Sequence, residues 1–234
     1  MAQPPGRRSA LVTGASYGIG AAAAIGLAQD GFDVVVTDLT TEPLARTVAA
    51  IVDAGRQALP LSLDLRDQAS VERAVADAAA AFAGLDVLVN NAGVPSLGKP
   101  AIEVTRAEWE NNIGVNLTGT YFMSTAFGRC LIAAGRPGCV VSLASTHGTV
   151  GFAGASVYGI AKAGISHMTR MLAIEWAPHN IRVNAIAPGT TLTESRRPML
   201  QDPERQACML TRIPLGRFGD PAIRPRWRAR SDIW

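Results

Sequence analysis

Short apolar, β-branched runs alternate along this chain with longer stretches of helical periodicity. Residues 9–12 form the first apolar run and pass through a glycine-rich turn into an Ala-rich helix reaching about Asp30. Residues 32–37 read as a second strand, Phe-Asp-Val-Val-Val-Thr, that ends at Asp38. Thr41-Glu-Pro43 opens a helix running to about Ala54, where Gly55 stops it. A third strand is expected over 57–63, leading into Asp64 and Leu65. The helix after it is opened by Asp67 or Ser70 and turns Val71, Val75 and Phe82 to one face. A fourth strand over 86–89 closes on Asn90-Asn91-Ala92-Gly93. Two helical segments follow, one starting near Thr105 and one carrying Asn116 as far as Ala133. Pro137-Gly138 breaks the pattern before a fifth strand over 139–143. A long helix then reaches Trp176, and a sixth strand over 181–187 ends at Pro188-Gly189.

Strands alternating with helices predict an α/β chain: one parallel sheet covered by helices on both faces. Right-handed crossovers would place every strand's C-terminal end on one edge, and the glycine-rich and polar segments all follow strand ends. No internal repeat or low-complexity linker divides the chain. A single domain is therefore expected over 9–221, after a flexible lead at 1–8. Apolar residues make up 48% and charged residues 18%, a globular balance. The formal net charge is +3 with no basic stripe through the body, which leaves nucleic-acid binding unsupported. The first residues lack the apolar core of a signal peptide, and no apolar run reaches membrane-spanning length. The expectation is a cytoplasmic protein with no membrane or nucleic-acid partner. Cys130, Cys139 and Cys208 have no metal-ligand spacing; reduced thiols are expected, the first two buried, with no metal site.

The chemistry-bearing residues cluster at the predicted strand ends. Gly14, Gly18 and Gly20 lie between a strand and a helix, where glycines let a phosphate reach the N–H groups of the helix start. A purely structural turn would use them as well. Asp38 follows Gly20 by 18 residues, the place of a carboxylate that binds ribose hydroxyls and repels a 2′-phosphate. Tyr17 and Leu39 offer no guanidinium for such a phosphate, so the reading favours NAD over NADP; a capping Asp at a strand end is the alternative. Tyr158 and Lys162 are four apart and share a helix face, and Ser145 precedes the tyrosine by thirteen residues. A lysine beside a phenol is expected to lower the phenol's pKa from its ordinary value of about 10. His147 is expected to line a substrate mouth or face solvent rather than to pair with Ser145.

Taken in order, Thr13-Gly14-x3-Gly18-Ile19-Gly20, Asp64, Asn90-Asn91-Ala92-Gly93, Asn116, Ser145, Tyr158-x3-Lys162, Asn184 and Pro188-Gly189-x3-Thr193 resemble the short-chain dehydrogenase/reductase family over about 9–221. The resemblance implies a Rossmann-type doubly wound sheet and hydride transfer between NAD and a secondary alcohol or carbonyl. It implies Tyr158 as general acid/base, Ser145 as the group that steadies the reacting oxygen, and Lys162 as a partner of both the tyrosine and the nicotinamide ribose. Asn116 would hold a water linking Lys162 to solvent. The implied cofactor contacts begin with Gly14, Ser16, Tyr17, Gly18, Ile19, Gly20 and Asp38. They continue with Asp64 for the adenine amino group, Leu65, Asn91 for the adenosine side, Ala92 and Gly93. Pro188, Gly189, Thr191 and Thr193 complete them, Thr193 reaching the carboxamide. Asn90 and Asn184 have a structural alternative, tying loops and strands together.

The polar, Pro-interrupted segment at 190–211 occupies the family's lid position, with Thr146, His147, Ala155 and Ser156 expected beside it. That region is similar to rhamnose or galactose dehydrogenases and also to 3-oxoacyl-carrier-protein reductases. The Ser, Thr, Glu194 and Arg side chains of the lid favour a sugar or polyol; a 3-oxoacyl thioester is the alternative substrate. After Pro221 the chain leaves the family pattern for an Arg- and Trp-rich tail over 222–234. The expectation is a missing seventh strand in a frameshifted or truncated member, with impaired catalysis as one consequence. A homodimer through the helices carrying Asn116 and Tyr158 is then expected, and a tetramer is not.

Overall fold

The computed structural model describes residues 7–221. The tail expected at 222–234 lies outside these residues, as does the lead up to residue 6. Arg8, placed by the sequence reading in a flexible lead, instead opens the first strand, with its guanidinium 4.2 Å from the centre of the Phe32 ring.

Six parallel strands form one sheet: β1 (Arg8–Thr13), β2 (Phe32–Asp38), β3 (Ala58–Ser62), β4 (Val87–Asn90), β5 (Gly138–Leu143) and β6 (Ile181–Ile186). Their order is β3-β2-β1-β4-β5-β6, the doubly wound Rossmann-type arrangement that reverses direction between β1 and β4. The strand residues alternate between two cores because successive side chains leave a strand on opposite faces. On one face Leu11, Val35, Leu88 and Val140 pack with α3 (Gln68–Ala81), α5 (Thr120–Ala133) and α6 (Ser156–Trp176). On the other, Ala10, Val12, Val34 and Val36 pack with α1 (Gly18–Gln29) and with Ile51 of α2 (Ala45–Asp53). Full burial on both faces explains why β1 and β2 read as nearly unbroken apolar runs.

The two helical segments expected between 105 and 133 are one rod. α4 (Arg106–Ile113) begins with a capping box between Thr105 and Glu108 and continues through a π-helical turn, Gly114–Gly119, into α5. A Cβ on Gly119 would stand 2.6 Å from the Leu65 carbonyl oxygen, so only glycine lets the rod lie this close to the chain after β3. A π turn inside an α-helix marks functional sites often enough to direct attention to what it carries, which here is Asn116. Cys130 and Cys139 are half-buried rather than buried, and all three thiols are free. Among the described residues no strand pairs with the outer side of β6, where Asn184 and Ala185 are exposed. Among the same residues no helix is long and apolar enough to cross a membrane, and no cluster of ligating side chains could hold a metal ion.

Candidate active site

The glycine turn, Asp38, Asp64, Asn90 to Gly93, Ser145 and Pro188 to Thr193 lie at or beyond the C-terminal ends of the strands, along one edge of the sheet, whereas Asn116, Tyr158 and Lys162 come from helices and Asn184 lies within β6. The turn from β1 to α1 needs its glycines. Gly14 and Gly18 have φ of +64° and +61°, and a Cβ on Gly14 would sit 2.7 Å from the Ala92 Cα. A Cβ on Gly20 would collide with the Gly14 carbonyl and the Asn91 amide. Polar side chains brace the turn from below. Thr13 Oγ1 accepts from the backbone N–H groups of Asn91 and Ala92, each at 3.0 Å, while Asn91 Nδ2 donates to the carbonyls of Thr13 (3.0 Å) and Gly14 (2.8 Å). The Asn91 amide nitrogen is thus committed to holding two strand ends together. Asn90, buried one residue earlier, donates to Ser124 (2.8 Å) and Ser142 (3.1 Å) and ties β4 to α5 and β5.

Asn116 works in the same way. Its Oδ1 accepts from Val94 N at 3.1 Å, and its Nδ2 donates to Val94 O (3.0 Å) and to Asn112 Oδ1 (2.9 Å). The side chain grips the strand-end loop that carries Ala92 and Gly93, and a Cβ on Gly93 would run into Asn116 Oδ1 and approach Lys162 Nζ to 3.9 Å.

At the start of α1, Tyr17 provides no side-chain cap. The Gly18 N–H donates instead to Glu194 Oε2 at 3.1 Å, across 176 residues of sequence. A carboxylate therefore rests where a helix start attracts anions. Asp38, at the end of β2, accepts from Leu39 N at 2.8 Å and from the Ser16 hydroxyl, which places its carboxylate beside the glycine turn. Asp64 is held by Arg66, whose Nε, Nη2 and backbone N–H all donate to it at 2.8–3.1 Å. Those bonds keep the Asp64 carboxyl below its ordinary pKa, and Leu65 is buried behind it. Beyond β6, Pro188 accepts from Thr146 N at 3.4 Å, and Thr191 Oγ1 donates to the Gly189 carbonyl at 3.3 Å.

Ser145 follows β5, and Tyr158 and Lys162 lie in the first turns of α6. Lys162 is 5% exposed and donates to the Leu143 carbonyl at 2.6 Å; burial brings its pKa down to about 8. Its Nζ stands 5.6 Å from the centre of the Tyr158 ring. The expected lowering of the phenol is overturned in this state. Burial raises the Tyr158 pKa above its ordinary value, and the smaller opposing effects come from the Ser145 hydroxyl and the Arg196 charge. The physical reason is the burial of the phenol, which outweighs the effects that oppose it.

His147 is half-buried against this pair. Its backbone N–H donates to Ser145 Oγ at 3.2 Å, its Nδ1 lies 3.4 Å from the same oxygen, and its ring meets Tyr158 edge-on at 5.7 Å. It touches Ser145, which the sequence reading did not expect. Phe152 stacks on its other face at 4.3 Å. Burial, and then the charge of Arg196, lower the His147 pKa, so the imidazole is neutral at neutral pH. The segment beyond β6 is longer than the 190–211 read from sequence. Gly219 N donates to Thr190 O and Leu192 N to Gly219 O, both at 2.8 Å, closing a loop from 190 to 219 that contains α7 (Pro203–Leu210). Sequence reasoning passed over Thr13 as a brace and over Phe152 and Arg196. A lone aromatic in a glycine-rich loop and an Arg pair in a polar segment were the available signals.

The short chain dehydrogenase family model matches residues 8–204. The 2-dehydro-3-deoxy-D-gluconate 5-dehydrogenase of Escherichia coli K12 is 38% identical over 213 residues, which cover 91% of this chain and 83% of the relative. The D-threitol dehydrogenase of Mycolicibacterium smegmatis is also 38% identical over 213 residues, covering 91% and 80%. A crystal structure from Agrobacterium tumefaciens with bound NADP superposes with a TM-score of 0.85 at 37% identity, covering 94% of this chain and 86% of that one.

The Glu194 carboxylate competes with any phosphate for the start of α1. The substitution Glu194→Gln removes that resident charge and is expected to tighten NADH binding by about two- to fivefold, the worth of one anion at a helix N-terminus. Titration of NADH fluorescence checks this; unchanged or weaker binding refutes the competition.

Proposed function

Because the chain belongs to the short-chain dehydrogenase family, we propose that it oxidises or forms a secondary hydroxyl on a sugar or polyol, using NAD and Tyr158 as the proton-transferring acid/base. The nicotinamide, when bound, supplies the hydride acceptor or donor. The residues fit such a cofactor on two observations: a glycine cradle that any Cβ would fill, and a helix-start N–H already bonded to an anion. Gly14 to Gly20, together with Ala92, Gly93, Pro188, Gly189, Thr191 and Thr193, would hold it. Asp38 supports NAD over the NADP seen in the Agrobacterium structure, since a carboxylate there accepts from ribose hydroxyls and repels a 2′-phosphate.

The observation that carries the reading is the grouping of Ser145, Tyr158 and Lys162 beside that cradle. In alcohol oxidation Tyr158 takes the proton from the substrate hydroxyl while Ser145 hydrogen-bonds the same oxygen. Carbonyl reduction reverses the transfer. Lys162 holds positive charge below the phenol and returns a proton toward solvent; the π turn at Asn116 gives that route its backbone. The raised phenol pKa of the cofactor-free state favours the protonated tyrosine needed for reduction, so oxidation gains as pH rises.

We further infer a homodimer rather than a tetramer. Tyr121, Phe122 and Ile132 on α5 and Ile160, Met171 and Ile174 on α6 are large apolar side chains left exposed.

A panel of sugars, polyols and 3-oxoacyl thioesters with NAD(H) or NADP(H), followed by nicotinamide absorbance, tests the activity. Tyr158→Phe is expected to lower kcat by about 10²- to 10⁴-fold with NADH affinity retained; undiminished turnover excludes Tyr158 as the acid/base. Lys162→Met should abolish turnover and change the pH dependence of folding. Below pH about 8 the folded wild type carries the full cost of a buried charge. From about 8 to 10.5 the folded state has released that proton and the unfolded state has not, so wild-type stability gains with pH. The gain is on the order of 3 kcal/mol, and urea unfolding across that window should show it in wild type and not in Lys162→Met. Sedimentation velocity should give a dimer; a stable tetramer contradicts the oligomer inferred.

A further inference from the structure

The wall above Tyr158 is built from aromatic rings and cations. The His147 ring meets Tyr158 edge-on, Phe152 stacks on His147 at 4.3 Å, and the Arg212 guanidinium lies 5.9 Å from the centre of the Phe152 ring. Arg196 belongs to the same closed loop. Its turn is fixed by bonds from Arg196 N and Arg197 N to the Thr193 carbonyl, at 3.0 and 3.1 Å. The Arg196 charge is felt by both His147 and Tyr158. It is half-buried, and among the described residues neither Arg196 nor Arg212 forms an ion pair. The nearby acid of the loop, Glu194, is turned to the Gly18 N–H. A neutral polyol gives a half-buried guanidinium no counter-charge, whereas a carboxylate matches its planar fork with two parallel hydrogen bonds.

We propose that Arg196 is a specificity residue that anchors a carboxylate of the substrate, with Arg212 adding positive charge at the mouth, so that the sugar-derived compound taken here is an acid of the aldonate or keto-aldonate class. This rests on the dehydrogenase reading above and narrows its substrate class. The hydroxyl carbon that reacts at Tyr158 and the carboxylate held by Arg196 belong to one molecule. Hydride and proton bookkeeping is unchanged: one hydride passes to NAD, one proton to Tyr158, and the carboxylate takes no part.

The test uses matched pairs that differ in the acid group, D-gluconate against D-sorbitol and D-galactonate against galactitol, with NAD and the full-length protein. The expected result is a higher kcat/KM for the acid of at least one pair. Arg196→Gln should lower that acid-to-neutral ratio by about 10- to 100-fold, mainly through KM, as loss of a charged hydrogen bond implies. Arg196→Lys should restore part of the ratio, and Arg197→Gln, one residue along on an exposed position, should leave it as in wild type. Thermal melts and NADH affinity establish that each variant is folded. Equal use of acid and neutral partners by wild type, or an unchanged ratio in Arg196→Gln, overturns the proposal and leaves the dehydrogenase reading intact. Gluconate binding to the NADH-loaded protein, read by quenching, provides an arm that needs no turnover. Binding that Arg196→Gln does not weaken overturns the proposal. Arg196-dependent binding with no turnover of any pair supports it and counts against the dehydrogenase reading.

Discussion

The bond from the Lys162 ammonium to the Leu143 carbonyl joins the two elements that make this site. Leu143 ends β5, two residues before Ser145, and Lys162 stands one turn beyond Tyr158 on α6, so one 2.6 Å contact sets the helix against the strand end. Burying an ammonium is costly unless it is hydrogen-bonded, and the position is accordingly demanding of what surrounds it. An apolar residue would suit the packing better. A desolvated lysine here costs stability that an apolar residue would not.

The edge above the sheet is held by side chains that would be read as ligands from their motif alone. Thr13, Asn90, Asn91 and Asn116 make their hydrogen bonds within the protein, and each joins the end of β4 or the loop after it to a neighbouring element. What they keep fixed is a set of backbone groups: the N–H groups of the glycine turn and the chain from Asn91 to Val94. Backbone recognition of this kind depends on glycine for access and on amides beneath for rigidity. The two requirements explain why Gly14 and Gly20 cannot carry a side chain and why Asn91 follows β4.

The fold was legible because its signals are local. Two-sided burial makes β1 and β2 continuous apolar runs, glycines and prolines separate the elements, and most of the chemical residues follow a strand end. Tyr158, Lys162 and Ser145 were legible for the same reason, as spacing on one helix and one strand. What escaped was tertiary. No periodicity announces that Asn116 sits in a π turn within a continuous rod. None announces that the Tyr158 phenol is buried deeply enough for desolvation to raise its pKa, or that Lys162 is aimed at a carbonyl. Glu194 and Gly18, far apart in sequence, could be paired only once the loop after β6 was seen folded over the helix start.

That loop has a mechanical property of its own. Hydrogen bonds between Thr190, Leu192 and Gly219 pinch its base shut, so the turn carrying Glu194 and Arg196 hangs from a narrow neck. One residue accepts from the N–H at the start of α1, and the charge of its neighbour two positions on acts on the tyrosine. The start of α1 and the tyrosine are thereby linked through one short turn of the loop.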